Sequence, residues 1–213
     1  MQATRIIAVR HGETAWNVDA RIQGQLDIAL NEKGRWQAQR LARALAAREP
    51  VAAVYSSDLL RAWDTARSIG VAVGLPVQTD AGLRERSFGR FEAQTFADLE
   101  ARFPLETARW HQRDPDWAPP GGESLLAVRS RVLQTIAKLA AQHLDEQIVL
   151  VAHGGVMDAL YRAASGLDMR APRTWTLGNA SINRLLWTPD GLTIVGWADT
   201  SHLEDEWQDE ATA

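Results

Sequence analysis

The most constraining stretch of this sequence is Gln147 to Ala152, Gln-Ile-Val-Leu-Val-Ala. A strand with one wet face alternates apolar and polar residues; a run that is apolar at consecutive positions is covered on both faces. Such a strand belongs in the middle of a sheet with helices on either side. Thr4 to Val9, with Ile6, Ile7 and Val9, has the same character, and Val51 to Tyr55 reads as another strand. Between these runs the apolar period becomes helical. Ala38, Leu41, Ala42 and Leu45 follow a helix start at Leu30-Asn31-Glu32-Lys33-Gly34, and Pro50 closes that helix. Leu59, Ala62, Trp63 and Ala66 mark a second helix to about Ile69, ended by Gly74-Leu75-Pro76, with Ser56 and Ser57 as candidate N-caps. A long helix from Ser124 is expected to bury Leu125, Val128, Val132, Ile136 and Leu139 or Ala140. A further helix follows His153-Gly154-Gly155 through Tyr161. Late strands near Ser181–Trp187 and Leu192–Trp197 flank the turn Pro189-Asp190-Gly191. Strand and helix alternate, so the expected class is α/β, layered, with a mostly parallel sheet and an antiparallel addition.

One stretch breaks this rhythm. From Leu83 to about Gly122, prolines and glycines crowd the sequence, and one or two short helices are expected near Phe96 to Trp110. Insertions of this size usually carry function. The length of 213 residues suits a single domain over residues 1–213, with the insertion around 86–122. The acidic C-terminal residues Glu204, Asp205, Glu206, Asp209 and Glu210 are expected to fray.

Composition excludes several kinds of chemistry. The chain has no cysteine, which removes disulfides, thiolate metal sites and cysteine nucleophiles, and fits a reducing, cytoplasmic compartment. Met1 to Val9 lacks a signal-peptide pattern, and no apolar run approaches a membrane span. A formal charge of −4 argues against bulk nucleic-acid binding. Of the 23 basic residues only Lys33 and Lys138 are lysines, an arginine excess that reads as coding bias.

Two of the apolar strands end in histidine followed by glycine, at His11-Gly12 and at His153-Gly154-Gly155. Ligands in open α/β sheets bind beyond the carboxyl ends of strands. A single histidine there is most often structural; two at equivalent positions, each with glycine allowing close backbone approach, point to a site. Arg10 adjoins the first, and Arg61 falls in the first turn of a helix that can point to the same edge, although alone it would read as a solvated surface residue. Two arginines and two histidines suit a tetrahedral dianion, since guanidinium groups donate paired hydrogen bonds to phosphate oxygens. The helix start at Gly154-Gly155 adds backbone N–H groups and a positive dipole end. No P-loop and no metal-ligand spacing is present, so no metal and no cofactor are expected.

Arg10-His11-Gly12-Glu13-Thr14 with Trp16-Asn17 resembles the signature of the histidine phosphatase superfamily, in its phosphoglycerate mutase-like branch. Gln23-Gly24-Gln25, Ser57-Asp58-Leu59 with Arg61, Leu83-x-Glu85 with Gly89, Gly122-Glu123-Ser124 and His153-Gly154-Gly155 continue the likeness in order, over about residues 4 to 198. The resemblance implies a three-layer α/β/α sandwich around a mostly parallel mixed sheet. It also implies His11 as phosphoryl-accepting nucleophile and Arg10, Arg61 and His153 as ligands of the phosphoryl oxygens. Asn17, Gln23, Gly24 and Gly154 become binding groups, and Glu85 the general acid and base. On residue chemistry alone Glu85 could equally pair with Arg84 or Arg86. Glu13 reads as a helix-end or supporting carboxylate. His111, Trp110 and Trp117 are candidates to border the pocket, whereas His143 and His202 read as surface residues.

The same signature serves hydrolysis and transfer. Mutases of the family follow the acid with Tyr-Gly, then a lysine and tandem arginines. Here Phe88 precedes Gly89, no lysine lies between Lys33 and Lys138, and the insertion offers His111-Gln112-Arg113. These departures favour a metal-independent phosphatase of small phosphomonoesters, although Phe91-Glu92-Ala93 also departs from the Trp-Glu-Gly usual in the phosphatases. The alternatives are a phosphoglycerate mutase and a phospho-ligand-binding protein. The expected partner is a small phosphorylated substrate, with no nucleic acid and no membrane; a homodimer is left open.

Overall fold

The computed structural model describes residues 2–48 and 50–204; Asp205, Glu206, Asp209 and Glu210 of the acidic terminus lie outside them. Its elements run β1 (Thr4–Arg10), α1 (Ala15–Val18), α2 (Glu32–Ala46), β2 (Ala53–Ser56), α3 (Leu60–Val73), β3 (Val77–Thr79), α4 (Phe96–Arg102), α5 (Pro104–His111), α6 (Leu125–Ala140), β4 (Gln147–Ala152), α7 (Gly154–Ser165), β5 (Ile182–Thr188) and β6 (Gly191–Asp199). They form one six-stranded sheet in the order β3-β2-β4-β1-β5-β6. The first four of these strands are parallel, and β5 and β6 are antiparallel additions. This is the mixed, mostly parallel α/β sheet expected from the unalternating strands.

The two covered faces are visible residue by residue. Along β1, Ile6 and Ala8 join a core with Val132 and Ile136 of α6 and Met157 and Leu160 of α7. Ile7 and Val9, one residue out of phase, join the opposite core with Leu41 and Leu45 of α2 and Ala62 and Ile69 of α3. β4 divides in the same way, Ile148 and Leu150 to one layer and Val149 and Val151 to the other. A strand places successive side chains on opposite faces, so a run apolar at every position feeds both layers of the sandwich. The insertion has its own small core of Ile22, Phe91 and Leu99, against which Phe88, Phe103, Trp110 and Trp117 pack.

Local differences from the sequence reading have local causes. Ser56 is the last residue of β2 and its hydroxyl donates to the Ser57 carbonyl, while Ser57 Oγ accepts from Leu59 N–H at 3.2 Å. The N-cap of α3 is therefore Leu59, without a side-chain cap. α3 continues to Val73 and α7 to Ser165, each to the residue before a glycine. β3 was not anticipated; it has only three residues, is half-exposed and pairs with β2 alone. Leu125 is half-buried and turned to a pocket wall rather than into the core.

The loop after β1 is fixed against α2. Asn31 caps that helix, its side chain accepting from Gly34 N–H at 2.7 Å, and its backbone N–H donates to the Glu13 carbonyl. Glu13 also accepts from Asn31 Nδ2 and pairs with Lys33, so it sits at the start of the helix. A Cβ on Gly34 would stand 2.0 Å from the Glu13 carbonyl oxygen. Backbone meets backbone here, and nothing flexible can yield. Gly34→Ala is therefore expected to cost roughly 1–3 kcal/mol by overpacking, read as a lower urea midpoint. An unchanged midpoint would show that the loop is not fixed by this contact.

Candidate active site

β1 and β4 are parallel neighbours with Arg10 opposite Ala152, so His11 and His153 leave the sheet at the same edge. Their rings lie 5.2 Å apart between centroids, tilted by 56°. His11 Nδ1 is 2.7 Å from its neighbour's carbonyl, Gly12 O. A carbonyl only accepts, so Nδ1 carries the proton and Nε2 keeps its lone pair. Burial first, then the charges of Arg10 and Arg61, holds the His11 imidazolium pKa well below the usual histidine value. His153 is fully buried and is pushed down in the same way by burial, Arg61 and His11.

The arginines are aimed by backbone carbonyls. Arg61 starts α3 almost completely buried, donating to Gly24 O at 2.7 Å and Leu26 O at 2.8 Å. Arg10 donates to Leu177 O. The Nε atoms of both arginines and both ring nitrogens of His153 are buried without a hydrogen-bond partner, as is Gln23 Oε1. Buried polar atoms are seldom left unpaired; among the described residues these find no protein partner.

Glu85 completes the edge. Both its carboxylate oxygens accept from Gly155 N–H at the start of α7, at 3.0 and 3.1 Å, and Oε1 also accepts from Arg86 N–H at 2.7 Å. It pairs with neither neighbour's side chain. Arg84 forms a bidentate pair with Asp58 at 2.7 and 2.5 Å, and Arg86 Nε donates to Glu123 O at 2.8 Å. A Cβ on Gly155 would lie 2.2 Å from Glu85 Oε1, whereas one on Gly154 meets nothing nearer than 3.7 Å. Of the two glycines at this helix start, Gly155 is thus the one this contact requires.

Arg10, His11, Asn17, Gln23, Gly24, Arg61, Glu85 and Gly154 all line one pocket of about 880 Å³. His153 lies behind it against His11. Asn17 caps α1 reciprocally with Thr14 and accepts from Asn179 Nδ2 at 3.3 Å, so its amide is tied to the loop beyond α7. Trp110 lines the pocket, but Trp117 and His111 do not; His111 is exposed beside Glu100, and Trp117 packs into the insertion core. Two other histidines differ from expectation. His143 is half-buried, bonded to Tyr55 and Glu146, and His202 is buried.

Arg21, Arg86, Arg113 and Arg173, which the sequence does not mark as site residues, bring the pocket to six arginines against the two carboxylates Glu85 and Asp158. Arg86 is buried, lies over the Phe88 and Trp110 rings, and burial pulls its pKa down to about 10. Trp175 and Leu177 come from a segment without periodicity, and buried Arg162 ties the chain ahead of it through Asp168 O and Ala171 O. Among the described residues no cluster of metal-ligating side chains is found. No helix among them is long and apolar enough to cross a membrane.

Residues 6–200 match the Histidine phosphatase superfamily (branch 1), and the chain belongs to that family. It is 41% identical over 200 residues to glucosyl-3-phosphoglycerate phosphatase of Mycobacterium tuberculosis, covering 89% of each chain. It is 35% identical over 204 residues to a metal-independent phosphoserine phosphatase of Arabidopsis thaliana, covering 95% of this chain and 84% of that one. The solved mycobacterial glucosyl-3-phosphoglycerate phosphatase in complex with VO3 superposes with a TM-score of 0.81 at 37% identity, covering 94% of this chain and all of that one.

The depressed site histidines, with buried His202 lowered in the same direction, have a consequence for stability. Below the unfolded histidine pKa near 6.5, the unfolded chain takes up protons that the folded chain refuses, so stability falls with pH by up to about 1.4 kcal/mol per pH unit for each group. Urea unfolding of the wild type between pH 7.5 and 5.5 should show this loss. His153→Gln should flatten the slope; equal slopes in both proteins would show that His153 titrates freely in the fold.

Proposed function

We propose that the protein is a metal-independent phosphatase of small phosphomonoesters, acting through a phosphohistidine on His11. The hydrogen bond from His11 Nδ1–H to Gly12 O carries this reading, because it presents an unprotonated Nε2 at a buried cationic pocket. Nε2 attacks phosphorus, the N–P bond forms and the ester P–O bond breaks. Arg10, Arg61 and His153 hold the phosphoryl oxygens as charge redistributes over them. Glu85, when protonated, gives its proton to the leaving alkoxide. In the second half a water attacks phosphorus, Glu85 takes the water's proton, and the N–P bond breaks to release phosphate. One difficult displacement becomes two easier ones, and no metal is needed.

The substrate is inferred to carry a second acidic group. The phosphatase relatives act on glucosyl-3-phosphoglycerate and on phosphoserine, both of which bear a carboxylate. Arg86 offers such a group a buried guanidinium whose Nη atoms bind no acceptor among the described residues. Phe88 stacks on Trp110 with centroids 5.1 Å apart, where mutases of the family place a tyrosine; this favours hydrolysis over transfer. The insertion around 86–122, through Phe88, Phe96, Trp110 and Arg113, is read as the substrate cap. The reading extends to a cytoplasmic enzyme, in keeping with the cysteine-free composition, that acts on small molecules and not on nucleic acid or membrane.

The test is phosphate release from p-nitrophenyl phosphate and 3-phosphoglycerate in the presence of EDTA. Release unaffected by the chelator is expected. Isomerisation of 3-phosphoglycerate that depends on 2,3-bisphosphoglycerate, with negligible phosphate release, would assign the chain to the mutases instead. Arg86→Met should lower kcat/KM about tenfold for 3-phosphoglycerate and much less for p-nitrophenyl phosphate, the loss of one charge-assisted bidentate contact. Equal losses on both substrates would remove Arg86 from acid recognition.

A further inference from the structure

The segment that carries Glu85 has no ladder of its own. It runs between a helical turn ending at Leu83 and another starting at Gly89, and belongs to no strand. Yet Glu85 must be held closely enough to serve one leaving oxygen and then one water. Gln25 Nε2 donates to Glu85 O at 3.0 Å, and the side chain with the most bonds to this segment is Arg131, on α6. It does not line the pocket.

Arg131 directs its whole donor set to this task. Nη1 donates to Gly82 O and to Arg84 O, both at 2.9 Å, and Nη2 approaches Glu85 O at 3.4 Å. Nε and Nη2 also form a bidentate pair with the Glu123 carboxylate at 2.9 and 2.8 Å. Glu123 grips the segment from its other end: Oε2 accepts from Ser87 N–H at 2.8 Å, and its backbone N–H donates to Ser87 O at 2.9 Å. Its carbonyl takes Arg86 Nε at 2.8 Å. The carbonyls of residues 82, 84 and 85 and both backbone groups of residue 87 are thus held by one ion pair. A planar guanidinium can reach three carbonyls and a carboxylate together; a lysine ammonium has fewer donors and no fixed fork.

From this geometry we infer that Arg131, braced by Glu123, is a positioning residue for the proton transfers of Glu85. The inference rests on the assignment of Glu85 as proton donor made above. Proton transfer is sensitive to placement on the scale of an ångström, and the sensitivity grows with the basicity of the leaving group. Loosening the clamp should therefore slow esters with alkyl leaving groups more than those with phenol-like ones. A merely structural role for Arg131 would lower the active fraction and so slow all substrates alike.

The test compares Arg131→Met, Arg131→Lys and Glu123→Gln with wild type on glycerol 3-phosphate and p-nitrophenyl phosphate. For Arg131→Met, kcat/KM should fall about tenfold more on the alkyl ester than on the aryl ester. Glu123→Gln should move the same way, and Arg131→Lys should restore part of the difference. Hydrogen exchange supplies a readout that needs no turnover: the amides of Arg86 and Ser87, bonded to Glu85 and Glu123 in the wild type, should exchange faster in the variants. Equal losses on both esters, or unchanged protection of these amides, would overturn the inference. If Arg131→Met fails to fold, Glu123→Gln and Arg131→Lys decide by the same criteria. A wild type that hydrolyses neither ester would defeat the phosphatase reading, and the exchange measurement would still decide whether the clamp holds the segment.

Discussion

The parallel pairing of β1 with β4 brings together groups that are far apart in sequence. Arg10 stands opposite Ala152, so the next residue of each strand is a histidine at the same sheet edge, and the rings come within 5.2 Å of each other. Everything else at the site is arranged around that edge. α2 fixes the loop beyond His11, α3 delivers Arg61, and the first turn of α7 presents Gly155 N–H to Glu85. The pairing is itself secured by the consecutive apolar residues Ile148 to Ala152 of β4, which bury into both helical layers.

The cost of this arrangement is borne by the fold. Cationic and imidazole groups are buried, the Nε atoms of Arg10 and Arg61 and both ring nitrogens of His153 have no partner, and burial depresses both histidines. Such groups are individually unfavourable in a dry interior. They are held in place by backbone carbonyls, Gly24 and Leu26 for Arg61 and Leu177 for Arg10, and by the two hydrophobic cores beneath them. The overall charge of −4 is no guide to this, because six arginines and only two carboxylates face the pocket.

The fold class was legible because it depends on periodicity, which residues 4–9 and 147–152 display without ambiguity. The site was legible where a motif sits at a strand end, as at Arg10-His11-Gly12 and His153-Gly154-Gly155. Features set by tertiary contact were not. β3 is three residues long and takes its shape from β2, so it has no period to read. Ser56 and Ser57 look like helix caps, but the chain needs two more residues to turn from strand to helix, which leaves Leu59 at the cap. Arg86 stands beside Glu85 in sequence, where an ion pair between them is the simplest reading, but its guanidinium lies over Phe88 and Trp110 and its Nε donates to Glu123 O. Arg173, Trp175 and Leu177 reach the pocket from a segment whose course is set by Arg162, a residue with no signal in the local pattern.

The central claim is that His11 takes the phosphoryl group. The most direct measurement exposes the protein to a phosphomonoester labelled with radioactive phosphorus, quenches in denaturant within the first turnover, and locates the label by peptide mapping. The account predicts an acid-labile, base-stable label on His11, absent from His11→Ala. Phosphate release at the wild-type rate with no label on the protein, or label that persists in His11→Ala, would contradict it.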